Sequence, residues 1–441
     1  MSESESPPRV WVVDAYRSGE KTQLRALAEG LGWPYEIKTL CYRKYEMRTN
    51  LFRGSDLRGV DRTNSDALAP PWPDLVLSMG MRNEPVARWI RDQSGGCARL
   101  VFLGRLWADP EQFDLVITTP QYRVPDRPNV LRNALPMHPL GPKPLAEAAA
   151  RWGPALSHLP RPYLTVNIGG TSGPYAFGQR AAERLVRDTL TLARQRGASL
   201  LISSSARTPA AAIDAFAAQS QVPMQLYRWQ QGDPNNPYLG FLAIADEIIV
   251  TADSISMLSE AYATGKPVHM FDPGAGRFSM RRDMAIALGE TDRAEALLRE
   301  DEDRPDLSLG SLAYRGLMRW GWKHLSRDIS QMHLSLVQSG RMGWLGQPVP
   351  AANEVPPPSD MERAIALTLL RYRGLTNSSN GRPDLPPEVE AHMIQNLGYF
   401  DAQNYLRADP RDRDARKSTF EEVERKRSLW RLTQPPFELT M

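Results

Sequence analysis

The segment TADSISMLSEAYATGKPV, Thr251–Val268, brings hydroxyls, carboxylates and a helix start to the end of an apolar strand. Strand EIIV runs into Thr251, Ala252, Asp253 and Ser254, and a helix begins near Ser254 or Ser256, both favoured N-cap types. The first N–H groups of a helix have no intrahelical acceptor and its dipole favours negative charge there, so such a start attracts an anion. Glu260 lies one turn in, at i+4 from Ser256 and on the same face, where a carboxylate can accept from ribose hydroxyls. The plainer reading is that Glu260 only favours the first turn electrostatically.

Three other segments place polar groups at strand ends. In TVNIGGTSGPYAF a strand runs into Gly169, Gly170, Thr171, Ser172 and Gly173, where bare backbone approaches a ligand closely and N–H groups hold an anion. The spacing is not that of the GxGxxG fingerprint, and a simple strand-to-helix loop accounts for it equally. In SSSARTP, Ser204 and Arg207 either face a phosphate or only precede a helix capped by Thr208, with Pro209 in its first turn. In GDPNNPYLG, Asn236 starts a helix that carries Tyr238, and capping alone explains the asparagine. Nearer the start of the chain, Gly19, Glu20 and Gln23 follow the first strand, and Gly80, Arg82 and Asn83 follow the third. Glu20 is the candidate catalytic base there; a substrate ligand and a helix-start charge are its other readings.

No DxD-type pair lies at these strand ends, and no HExxH or clustered Cys/His occurs, so no metal is expected. The absence of GxSxG disfavours a serine hydrolase.

These residues need a frame. Near-continuous apolar strands alternate with helical patterns from Val10, as buried parallel sheets require. A proline-rich stretch near residues 136–162 interrupts the alternation, which then restarts at YLTVNIGG. The expected plan is a tail over residues 1–8, a first Rossmann-like domain over 9–140, a linker over 141–162 and a second domain over 163–344. A linker and crossing helix over 345–373 and a polar, partly helical extension over 374–441 complete it. Ligands of doubly wound sheets bind beyond the carboxyl ends of the strands.

At 441 residues the chain is long enough for more than one core, and 41% hydrophobic with 24% charged residues is ordinary for a folded protein. A net charge of +3 implies no nucleic-acid partner. Cys41 and Cys97 lie far apart and suggest neither a disulfide framework nor a metal site. Without an apolar span or a cationic leader in MSESESPPRV, a cytoplasmic protein is expected.

The blocks VDAYRSGEKTQLRALAEGLG, PDLVLSMGMRNEPVARWIR, FDLVITT, NIGGTSGPYAF, SSSARTP and NPYLGFLAIADEIIVTADSISMLSEAYATGKPV, in this order, resemble the mitochondrial-fission "elongated mitochondria" family from about Arg9 to about Arg373. Its bacterial members are described as glycosyltransferases. The resemblance implies an α/β, GT-B-like fold: two Rossmann-like domains facing a cleft, the first for acceptor and the second for donor, with a helical C-terminal extension. Ser-x-Ser-Met-x-x-Glu-Ala is also similar to the donor motif of the peptidoglycan lipid-intermediate glucosaminyltransferases. By that likeness Ser254, Ser256 and Met257 sit at a diphosphate, Glu260 at the ribose, and Gly169, Gly170 and Thr171 beside the phosphates. No cofactor is implied beyond a nucleotide-diphosphate sugar as co-substrate. The family often has Gly-His-Glu-Asn-Gln after its first strand; Gly19-Glu20-Lys21-Thr22-Gln23 lacks the histidine, which removes the basis for histidine catalysis.

The insertion YRKYEMRTNLFRGSDLR alternates Arg43, Lys44, Arg48, Arg53 and Arg58 with Tyr42, Tyr45 and Phe52. That mixture suits a glycolipid acceptor and peripheral contact with the inner membrane, or a solvated loop. LMRWGWKHL, with Trp320 and Trp322, reads as a second surface patch or as a packed helix. Three functions stay open: a metal-independent glycosyltransferase acting on an envelope glycan or glycolipid, a non-catalytic adaptor of the fission type, and a nucleotide-sugar epimerase.

Overall fold

Runs such as VWVV and LVLSM have no polar face to offer water, so they form strands covered on both sides. The computed structural model describes residues 7–43, 54–127, 129–300, 303–320, 326–338, 342–349 and 360–376. The expected tail and polar extension fall almost wholly outside them, as do Lys44, Tyr45, Arg48, Phe52, Arg53 and Trp322.

The first unit comprises residues 1–118, 124–132 and 358–441. In it β1 (Val10–Val13), α1 (Ser18–Gly30), β2 (Tyr35–Lys38), β3 (Leu75–Met79), α2 (Glu84–Gln93), β4 (Arg99–Leu103), β5 (Leu115–Thr118) and β6 (Val130–Arg132) follow one another. The sheet order is β2-β1-β3-β4-β5-β6, all parallel. The order reverses between β1 and β3, so the loops after these two strands splay apart and leave a crevice at their carboxyl ends.

The second unit comprises residues 119–123 and 133–357. The expected linker is mostly α3 (Pro142–Leu156), which packs on the helix Tyr238–Ile244 of this unit through Trp152 and Leu156. Then come β7 (Tyr163–Asn167), α4 (Gln179–Arg196), β8 (Ser199–Ser203), α5 (Ala210–Ala217), β9 (Met224–Tyr227), α6 (Tyr238–Ile244), β10 (Glu247–Thr251), α7 (Ile255–Ala263) and β11 (Val268–Phe271). Helices α8 (Met280–Ala287), α9 (Thr291–Glu300), α10 (Leu309–Trp320) and α11 (Ser330–Gln338) lead to β12 (Met342–Trp344). The order β12-β11-β10-β7-β8-β9 is the Rossmann order, reversing between β7 and β10. Alternate residues of β7 serve two cores: Leu164 and Val166 meet α4 and α5, and Tyr163 meets Leu201 and Phe241 of α6. Phe216 and Phe241 are fully buried, each worth about 2–3 kcal/mol of transfer free energy.

The chain returns to the first unit with α12 (Asp360–Thr376), whose Tyr372 lies 5.1 Å from the Trp33 ring and whose Arg363 donates to the Arg132 carbonyl at 3.1 Å. The fold is α/β and GT-B-like in make-up: two Rossmann-like units, the second continuing into helices.

Candidate functional site

In the second unit the order reversal places the ends of β7 and β10 side by side. The Gly169 N–H donates to Thr251 Oγ1 at 2.7 Å and the Gly170 N–H to Asp253 Oδ2 at 2.9 Å. A Cβ at Gly170 would run into the carbonyl oxygen of Arg207, so the close approach of these loops excludes a side chain. Arg207 reaches across, its guanidinium 3.3 Å from Asp253 Oδ2 and donating to the Thr171 carbonyl at 3.2 Å. Thr208 holds the turn by donating to the Ile168 and Gly169 carbonyls, both at 2.7 Å. Burial pushes the Asp253 carboxyl up, against Arg207 and the Gly170 N–H, which pull it down.

Ser254 is the N-cap residue of α7, and its hydroxyl makes no capping bond. The first-turn N–H groups of Ile255, Ser256 and Met257 have no acceptor inside the helix. The other glycine-loop helix, α4, differs: Asp306 accepts from the Gly178 N–H at 3.0 Å and the Ala181 N–H at 2.9 Å. Its positive end is already neutralised by a carboxylate, whereas no side chain caps the start of α7.

A second cluster lies between α6 and α7. Asn236 Oδ1 accepts from the Tyr238 N–H at 3.0 Å, and the Tyr238 hydroxyl donates to Glu260. Burial raises the Glu260 carboxyl and Tyr238 counters it. Ser256 is exposed and Met257 half-buried against the core. Ser204 stands apart: its hydroxyl accepts from the Trp229 N–H at 2.8 Å and stays with the exit of β9.

Sequence reasoning passed over several groups. Arg327 donates to Ser172 Oγ at 2.6 Å and is fixed by its own N–H, which bonds Tyr314 Oη at 2.7 Å. Thr171 and Ser172 are thus held by Arg207 and Arg327, one arginine each. Asn167 ends β7 fully buried with neither amide atom partnered, beside its register partner Ser203, whose hydroxyl is also unpartnered. Asp253 Oδ1 is likewise buried and alone. Leaving such a group unsatisfied costs about 1–3 kcal/mol each, a burden that gathers where a polar ligand or ordered water supplies the missing bonds. The sequence signal for Asn167 was present: a polar residue closing an otherwise apolar strand. Arg327 lies 155 positions from Ser172 and had none.

In the first unit the corresponding crevice is built around Asn83. Its amide donates to the carbonyls of Val13, Asp14 and Met79 at 3.1, 2.9 and 2.9 Å, tying β1 to β3, and its Oδ1 accepts from Tyr42. Burial drives the Tyr42 hydroxyl upward, so it stays a donor. Arg82 stacks over the rings of Tyr16 and Tyr42 at 4.9 and 5.8 Å. Lys21, which departs from the family loop, pairs with buried Asp14 at 2.6 Å. Glu20 is half-buried beside Gly80, whose φ of +92° favours glycine and whose missing Cβ leaves space 3.2 Å from Glu20 Oε2. Gln23 donates to the Gly19 carbonyl at 3.2 Å. Arg43 is exposed, and Arg58, also exposed, lies 3.6 Å from Asp56.

Comparison with known proteins adds the lineage. Residues 18–304 match the family described as Mitochondrial fission ELM1. The Mitochondrial fission protein ELM1 of Arabidopsis thaliana is 27% identical over 238 residues, 49% of this chain and 55% of that one. Uncharacterized protein RP120 of Rickettsia prowazekii (strain Madrid E) is 34% identical over 117 residues, 26% of this chain and 33% of that one. The chain therefore spans about half and about a third of the length of these relatives. Among solved structures, the S. aureus MnaA–UDP co-structure aligns with 86% of this chain and 100% of its own at 10% identity, with a TM-score of 0.40. With the match running through the loops of both crevices, the chain belongs to the Mitochondrial fission ELM1 family.

Proposed function

We propose that the protein is a glycosyltransferase that moves a sugar from a nucleotide-diphosphate donor to an envelope glycan or glycolipid, without a metal. The observation that carries this is the junction of the β7 and β10 loops: an uncapped α7 start, Gly169 and Gly170 drawn against Thr251 and Asp253, and Arg207 across them. An anion at the α7 start meets first-turn N–H groups, with Arg207 and Arg327 bonded to the adjoining glycine loop. Glu260, one turn in and held by Tyr238, is the proposed ribose acceptor.

In the proposed reaction an acceptor hydroxyl attacks the anomeric carbon and the bond from that carbon to the diphosphate oxygen breaks. Glu20 takes the hydroxyl proton. The nucleoside diphosphate leaves with the bond's electron pair, its charge met by the α7 start and the two arginines. Incubating radiolabelled uridine- and guanosine-diphosphate hexoses with a membrane extract should move label to the lipid or glycan fraction. Glu20→Gln should slow this by about 10²–10⁴. No transfer from any donor, or full activity in Glu20→Gln, would sink the catalytic reading.

The adaptor reading has support of its own: the Arabidopsis relative is named a mitochondrial fission protein, and the loop after β1 lacks the histidine of the family pattern, with its Lys21 paired to Asp14. It predicts a partner captured equally by the wild type and by Glu20→Gln, with no sugar transfer by either.

A further inference from the structure

Helix α10 has two unlike faces. Its start is capped by Ser308, whose hydroxyl accepts from the Ser311 N–H at 3.1 Å. On the inner face Arg315 donates to both Asp283 oxygens at 3.2 and 2.9 Å, and Tyr314 packs on Gly173 of the glycine loop and bonds the Arg327 N–H. The outer face carries Leu309, Leu312, Leu317 and Trp320, spaced at i, i+3, i+8 and i+11 along one stripe. Leu309 is 88% and Trp320 81% exposed, with Leu312 at 41% and Leu317 at 38%, and Leu307 just before the helix is 55% exposed. The sequence left the Trp320 region open between a surface patch and helix packing; Trp320 is on the surface.

We infer that this face of α10 docks on an anionic lipid bilayer. Charge selects that occupant. Helix α10 contains no Asp or Glu, and of its two arginines Arg315 turns inward onto Asp283 while Arg319 is exposed. Arg319 borders the apolar stripe and stacks on Trp320 at 5.6 Å. An apolar stripe ending in tryptophan, edged by a cation and free of acidic residues is the chemistry of a helix lying in a lipid headgroup layer. Among the described residues no helix is long and apolar enough to cross a membrane, so the contact is superficial. Because Tyr314 holds the glycine loop from the opposite face, the bilayer would lie about one helix diameter, ~10 Å, from that loop.

The test is co-sedimentation of the full chain with vesicles of phosphatidylcholine alone and of phosphatidylcholine with phosphatidylglycerol in equal parts. The wild type should pellet with the anionic vesicles only. The double variant Leu309→Ser/Trp320→Ser and the single variant Arg319→Glu should each weaken binding by about tenfold, with melting temperatures unchanged because all three positions are on the surface. Failure of the wild type to bind anionic vesicles, or undiminished binding by the double variant, overturns the inference. So does a wild-type dimer in sedimentation velocity that the double variant turns into a monomer, since the face would then belong to a second copy.

Discussion

At the scale of single residues, the junction depends on Asp253 being buried and yet answered. Its side chain has no exposure, and Arg207 with the Gly170 N–H supplies most of its compensation. Arg207→Ala should therefore destabilise the protein by about 1–3 kcal/mol in urea titration, the lower end if water replaces its half-exposed guanidinium. Asp253→Asn in the Arg207→Ala background should recover part of that loss, because no buried charge then stands alone. Gly170→Ala should cost a similar ~1–3 kcal/mol by collision with the Arg207 backbone, and should abolish ligand binding outright. A melting point equal to wild type in Gly170→Ala would contradict the geometry. Gly169, Gly170, Arg207 and Asp253 could be singled out beforehand because each sits within a few positions of a strand end, and Glu260 because it shares a helix face with Ser256. Arg327 could not, because 155 positions, α4 to α10 among them, separate it from the loop it holds, and neither could the unpartnered state of Asn167, which emerges only when β8 is laid beside it.

At the scale of elements, the two helix starts beside the glycine loop are used differently, and the reason lies far along the chain. Asp306 neutralises α4, leaving α7 open. Beneath the α7 approach, His333 of α11 donates from Nε2 to the Ala252 carbonyl at 2.7 Å, fully buried, with Nδ1 unpartnered. Burial lowers this imidazole from its ordinary 6.5 to about 4. The unfolded chain thus takes up a proton near pH 6.5 that the folded chain refuses until about pH 4. Stability is lost as pH falls across that window, on the order of 3 kcal/mol from this group alone. Asp253, Glu260 and Asp272, raised by burial, act in the opposite direction, so the contribution of His333 is read as a difference. His333→Gln should flatten the decline in unfolding free energy between pH 6.5 and 4 relative to wild type; parallel curves for the two proteins would refute the assignment. Elements with continuous apolar runs, from β1 to β11, were apparent from pattern. β12 was not: three residues, Met342–Trp344, gain strand character only by pairing with β11. α3 falls within the stretch expected to be a linker because its prolines dominate the pattern, whereas its apolar face closes the core against α6.

At the scale of the whole molecule, two sheets with order reversals at β1/β3 and β7/β10 each present polar groups at the carboxyl ends of their central strands. The restart of the strand–helix alternation after the proline-rich stretch announces the two units, but not their seams. The second unit begins at Asn133 and takes in residues 119–123, while α12 rejoins the first. Such seams follow long-range packing, to which local periodicity is blind. The family supplies lineage, and the central proposal is narrower: that the second unit binds a nucleoside diphosphate sugar between the glycine loop and α7. Its most direct measurement is the melting temperature of the full chain with uridine- and guanosine-diphosphate sugars at about 100 times their Kd, where one-site binding adds about 2.7 kcal/mol. At least one should raise the wild-type melting temperature by several degrees and leave that of Glu260→Ala unmoved. No shift with any of these nucleotides in the wild type, or an equal shift in Glu260→Ala, would contradict it.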